Sequence, residues 1–344
     1  MTNKFILLIG GIPYQNRSET IGGTTILMKN LIDYCNDNHI PYRHLSTNRF
    51  YGKYSGIKNY VGYLYLSLKN IGQSHSVVVN VSSYKGSIFV YFPIFLLCKL
   101  FHRKVYFRMF GGTFQNYFNS SKLVSAIVSF ELRHSSGCIF ETKQLVSFFS
   151  DLGFNPFWLP NVRKPVLCDS HKTYSKRFVF ISQVKESKGI DIILQASKTL
   201  DEDFIIDIYG PILDSKYSLE YFKDYNVNYR GVLSPDEVIK TLHSYDVLLL
   251  PTFWKGEGYP GIIIEAMSIG IPSISTKWSA IPEIVVDKFN GLLIQPHSSD
   301  ELADAMRYLN FENYLSFSEN ARHFYNENLN SDIINEKLIN FISK

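Results

Sequence analysis

The stretch EGYPGIIIEAMSIGIPS occupies residues 257–273. From Ile262 to Ile269 every residue is apolar except Glu265 and Ser268. A helix that is apolar on all sides is a buried helix, and a glutamate inside one needs a partner. Pro260 suits a first helical turn, where its missing N–H is not needed, and Gly270 suits the position just past the last turn. The spacing therefore predicts a helix over 260–269, with Glu257, Gly258 and Tyr259 in the loop at its N-terminus. Free N–H groups there make a site for anions and hydroxyl oxygens. Glu265 lies about 7.5 Å along the axis from Pro260 at ~1.5 Å per residue. One elongated ligand anchored at the helix start can reach both glutamates.

The helix is flanked by DVLLLPT (246–252) and GIPSIST (270–276), which read as buried strands. RFVFIS (177–182) and DFIIDIYG (203–210) repeat the pattern, with helices expected over 189–200 and 235–244. In the first half KFILLIGG, HSVVVNVSS, RKVYFRMFGG and GCIFET serve the same role. Apolar runs alternating with helical patterns indicate α/β units around parallel sheets. In such sheets ligands bind beyond the carboxyl ends of the strands.

A chain of 344 residues is long for a single core, so two domains are expected. Residues 1–165 hold 18 Lys and Arg against 6 Asp and Glu, a balance of +12, whereas residues 166–344 hold 17 against 25, a balance of −8. The change coincides with LPNVRKPVLCDSHKTYSK (159–176), which lacks periodicity and reads as the linker. The expected division is 1–165, 166–330 and a terminal helix from 331, packing back on the first domain. A basic first half faces an anionic partner. Cys35, Cys98, Cys138 and Cys168 form no CxxC pair, consistent with reduced cytosolic thiols. The apolar run 88–98 has eleven residues and includes Pro93, too short to span a bilayer, which takes ~20.

The stretches PTFWKGEGYPGIIIEAMSIGIPSIST and IPEIVVDKFNGLLIQP together resemble the signature of the family-4 retaining glycosyltransferases of GT-B fold, marked by two glutamates separated by seven residues. VFISQVKESKGIDIILQA is similar to that family's phosphate-binding strand–loop–helix, and IGG (21–23) to its N-terminal glycine loop. The resemblance implies two Rossmann-like domains facing each other and a nucleotide-sugar donor held by the second. It implies that Glu257 lies beside the transferred sugar and that Gly258, Tyr259, Pro260 and Gly261 contact sugar and phosphate. It further implies Glu265 on the ribose, Lys188 on the diphosphate and Gly22–Gly23 from the other domain. Ribose hydroxyls are then the expected partner of Glu265. The usual arginine before that lysine is Gln183 here, and the usual histidine is Phe110, with Arg108 considered as its substitute. The usual glycine pair before IPEIV is Ser279–Ala280.

The activity implied is sugar transfer with retained configuration to a glycan, lipid-linked, in bacterial surface polysaccharide assembly, by a cytoplasmic enzyme peripheral on the membrane. It needs no cofactor beyond the donor substrate and no metal; DED (201–203) reads as a solvated turn. Two readings stay open for CKLFHRKVYFR (98–108) and RFYGKYSGIKNYVGYLYLSLK (49–69): half-buried helices, or segments resting on an anionic membrane. A dinucleotide oxidoreductase is disfavoured because Gly10–Gly11 does not extend to G-x-G-x-x-G. A glycoside hydrolase needs two carboxylates across one bond, and no nucleic-acid reading motif occurs. A nucleotide-sugar-binding protein without transferase activity, or a nucleotide-sugar-modifying enzyme, remains the alternative.

Overall fold

A computed structural model describes residues 5–13, 23–47, 57–81, 91–166 and 174–343. Gly22, Cys168 and residues 49–56 of the basic–aromatic run lie outside them. The chain divides into two compact units, Met1–Asn161 with Ser331–Lys344, and Val162–Asn330.

The first unit is built on a six-stranded parallel sheet of β1 (Phe5–Gly10), β2 (Tyr42–Ser46), β3 (Ser74–Val81), β4 (Lys104–Met109), β5 (Gly137–Phe140) and β6 (Pro156–Trp158). Their order is β2-β1-β3-β4-β5-β6. β1 is buried at all six positions, which is why FILLIG reads as an unbroken apolar run and not an alternating one. Helix starts follow local chemistry: the Ser121 and Thr142 side chains accept from Val124 N and Leu145 N, capping helices Lys122–His134 and Lys143–Asp151. The terminal helix Ser331–Ser343 belongs to this unit, where Phe341 stacks on Phe157 with ring centres 4.3 Å apart.

Glu131 lies in helix Lys122–His134, 5% exposed, with Oε1 lacking a hydrogen-bond partner. Burial pushes its carboxyl up to about 8 from 4.5. The unfolded chain therefore gives up this proton first as pH rises. Stability falls between pH 4.5 and 8 by about 1.4 kcal/mol per unit at most. Glu131→Gln is expected to stabilise the protein more at pH 8 than at pH 5; a urea midpoint gain of equal size at both would contradict this.

Helices Ile57–Ile71 and Phe92–Leu100 border an apolar surface groove of about 500 Å³ lined by Val61, Leu64, Tyr65, Leu68, Leu96 and Leu100. Leu100 is 69% and Tyr65 64% exposed. Lys69 and Lys99 are exposed on the same two helices. Among the described residues no helix is long and apolar enough to cross a membrane.

The second unit holds β7 (Arg177–Ile181), β8 (Ile205–Tyr209), β9 (Asn228–Gly231), β10 (Val247–Leu250), β11 (Ser273–Thr276) and β12 (Gly291–Ile294). All pairs are parallel, in the order β12-β11-β10-β7-β8-β9. The helix from the opening stretch runs Gly261–Ser268, with Pro260 as its N-cap in extended conformation and Gly270 at φ 78 just past its end. Ile263, Ile264 and Met267 are fully buried, each contributing ~1.5–3 kcal/mol relative to exposure.

Candidate functional site

Counted from its own first strand, the second unit's sheet runs 6-5-4-1-2-3, the doubly wound order whose chain direction reverses between β7 and β10. Those two strands are paired directly, Val247 with Phe178 and Leu248 with Val179. The segments leaving their carboxyl ends, 182–189 and 251–260, therefore border the crevice where such sheets bind ligands. They are tied together: Phe253 N donates to Ser187 O at 2.9 Å, and Thr252 Oγ1 lies 3.2 Å from the same oxygen. Gly189 adopts φ 84, and a Cβ there would overlap the Pro251 carbonyl, so no other residue type fits that crossing.

Lys188 closes the short turn Glu186–Lys188 and points at the other segment. Its Nζ lies 2.6 Å from Glu257 Oε2, and Thr252 Oγ1 donates to that oxygen at 2.9 Å. The pair is deep, with side chains 10% and 6% exposed. Both Lys188 and Lys185 carry their ammonium groups over the Trp254 ring, 4.7 and 4.9 Å from its centre. Burial, then the neighbouring Lys188 charge, push the Lys185 ammonium below its ordinary range, against the pull of Glu257. Ser279 takes φ 50, a conformation that favours glycine, and its hydroxyl donates to the Glu257 carbonyl at 2.7 Å. The departure from the usual glycine pair thus supplies a bond that glycine lacks.

The partner of Glu265 is Arg163, whose Nε lies 2.5 Å from Oε1. Glu265 is 22% exposed, so it stands where the otherwise buried helix reaches the surface. Gly261 has no left-handed φ to explain it. A Cβ there would overlap Nη2 of Arg163, so glycine at the helix start makes room for the guanidinium. Nη1 of Arg163 donates to Val162 O at 3.0 Å. Tyr259 is buried and its hydroxyl donates to Glu283.

Lys188, Glu257, Gly258, Tyr259, Pro260, Gly261 and Glu265 therefore lie on the two segments and the helix that border one crevice. Gln183 is exposed just beyond β7. Gly23 and Arg108 belong to the first unit, where Gly23 opens helix Gly23–Asp37. Arg108 is 2% exposed near the carboxyl end of β4, beside Asn80 in register on β3. Its Nε and Nη1 lack hydrogen-bond partners, and its guanidinium stands 4.9 Å from the centre of the Phe110 ring. Burial pushes it down to about 10, opposed by Glu141. No motif in the sequence marks Arg163, Thr252 or Trp254 as members of this site. Arg163 sits in the aperiodic segment read as linker, where nothing local marks it.

Residues 169–324 match the family model described as glycosyl transferases group 1. The putative colanic acid biosynthesis glycosyltransferase WcaL of Escherichia coli is 28% identical over 182 residues, 48% of this chain and 44% of that protein. The amylovoran biosynthesis glycosyltransferase AmsK of Erwinia amylovora is 26% identical over 139 residues, 37% and 34% of the two chains. The chain thus spans less than half the length of these curated relatives. Among solved structures, Anabaena Alr3699/HepE in complex with UDP superposes with a TM-score of 0.75 over 98% of this chain and 99% of that one, at 14% identity. Sucrose-phosphate synthase from Thermosynechococcus elongatus gives 0.70 at 12% identity, over 98% of each chain. The fold is accordingly α/β, with two Rossmann-like parallel-sheet domains and a C-terminal helix, as in GT-B glycosyltransferases.

Proposed function

We propose that this protein is a retaining glycosyltransferase that moves a sugar from a nucleotide-sugar to a glycan acceptor, lipid-linked, in bacterial surface polysaccharide assembly. The observation that carries the reading is the Lys188–Glu257 pair beside a glycine-opened helix bearing Glu265, all at the strand-order reversal of the second unit. The relatives named for colanic acid and amylovoran biosynthesis and the UDP-bound structure support it.

In this reading Lys188 faces the diphosphate, Glu265 accepts from ribose hydroxyls, and Glu257 orients the transferred sugar. The acceptor oxygen forms its bond to the anomeric carbon on the face from which the diphosphate leaves. The acceptor proton passes to the departing phosphate oxygen, and configuration is kept. Catalysis rests on positioning and on stabilising the leaving diphosphate. Arg108 and Gly22–Gly23 belong to the acceptor side, and no metal or further cofactor takes part. A nucleotide-sugar-binding protein without transfer is the second reading. Thermal shift with a panel of nucleotide-sugars, followed by transfer to a glycan acceptor analysed by NMR, separates the two. Glu265→Ala is expected to weaken nucleoside diphosphate binding by ~1.5–3 kcal/mol. Unchanged affinity by calorimetry in the folded variant would remove the ribose assignment.

The acceptor's lipid end bears on the exposed leucine groove between helices Ile57–Ile71 and Phe92–Leu100, flanked by Lys69 and Lys99. Apolar side chains with basic neighbours on a unit of positive charge suit an anionic membrane surface. Co-sedimentation with vesicles containing phosphatidylglycerol is expected at low salt and should fall at high salt. Leu96→Asp with Leu100→Asp should weaken it; equal partition to neutral vesicles would count against this surface.

A further inference from the structure

We infer that Arg163 is a positioning residue that makes Glu265 selective for a vicinal diol, an inference resting on the donor-site reading above. The two carboxylate oxygens of Glu265 differ in their partners. Arg163 Nε holds Oε1 at 2.5 Å, while Oε2 accepts no hydrogen bond from the described residues. The Glu265 side chain is 22% exposed, so a ligand can reach the carboxylate from solvent. A carboxylate with one oxygen fixed by a planar guanidinium donor keeps its rotamer. Its remaining oxygen is an acceptor of set direction, and two adjacent hydroxyls can share it.

Two further features fix the guanidinium itself. Nη1 is tied to the backbone carbonyl of Val162 at 3.0 Å. Nη2 lies where the side chain of residue 261 would otherwise begin. Gly261 costs the helix some stability relative to alanine, and no backbone conformation requires it. Its glycine character is explained by the seat of Arg163. Arg163 touches Glu265 and so acts on the ligand through it.

The test compares the affinity of wild type, Arg163→Met, Arg163→Lys and Gly261→Ala for UDP, GDP and ADP and for their 2′,3′-dideoxy counterparts, by calorimetry. Wild type should prefer at least one ribo form over its dideoxy counterpart by about tenfold or more, the worth of hydrogen bonds to a charged acceptor. Arg163→Met should bring that preference close to one, Gly261→Ala should reduce it by displacing the guanidinium, and Arg163→Lys should keep part of it. Circular dichroism confirms that each variant is folded, and Gly261→Ala tests the same seat with the arginine intact should Arg163→Met not fold. A folded Arg163→Met or Gly261→Ala that retains the full preference overturns the inference and leaves the donor-site reading standing. A wild type that binds none of the diphosphates, or binds them without preference, overturns the ribose assignment and the inference with it.

Discussion

Replacing Lys188 with methionine is expected to lower the unfolding free energy by about 3–5 kcal/mol and to abolish measurable nucleoside diphosphate binding. The stability loss follows from burial. Glu257 is 6% exposed at its side chain and takes its ion pair from Lys188 at 2.6 Å, with the Thr252 hydroxyl on the same oxygen. Without the ammonium, a carboxylate is left inside the protein with one neutral donor. Removing both charges together, as Lys188→Met with Glu257→Gln, should return most of the stability and none of the binding, because no unpaired charge remains. Urea unfolding of the three variants decides the matter. A Lys188→Met midpoint equal to wild type, or a double variant no more stable than the single one, would show that the pair is not the buried unit described.

Glu257→Gln alone is expected to reduce kcat by about 10²–10³, the loss typical of one preorganised electrostatic group, with donor KM unchanged or lower. The direction of KM comes from the geometry. In the proposed donor-site reading Glu257 and a bound diphosphate compete for the same ammonium, so neutralising the carboxylate leaves Lys188 more fully available to the donor. The sugar, in contrast, loses the charge beside its reacting carbon, which matters more in the transition state than in the ground state. Steady-state kinetics with the donor identified by thermal shift checks this. A normal kcat would remove Glu257 from the chemistry, and a product of inverted configuration would remove the same-face route.

The features legible in the chain are local ones. Pro260, Gly270 and the apolar run between them specify a buried helix, observed at Gly261–Ser268, because capping and helical periodicity act over a few residues. The unbroken FILLIG and VLLL runs specify strands buried on both faces. The spacing of Glu257 and Glu265 likewise puts one just before the helix and the other more than a turn into it, whatever surrounds them. Which charges meet depends on long-range packing. Lys188 and Glu257 are 69 residues apart, and Arg163 and Glu265 are 102 apart. Neither pairing has a period or motif of its own, and the expected ribose partner of Glu265 gave no reason to look toward residue 163. These pairs exist because β7 and β10, separated by two strands in sequence, lie side by side in the sheet and bring their following loops together. That adjacency is set by burial of whole strands against helices, a property of the assembled sheet that no window of the sequence contains.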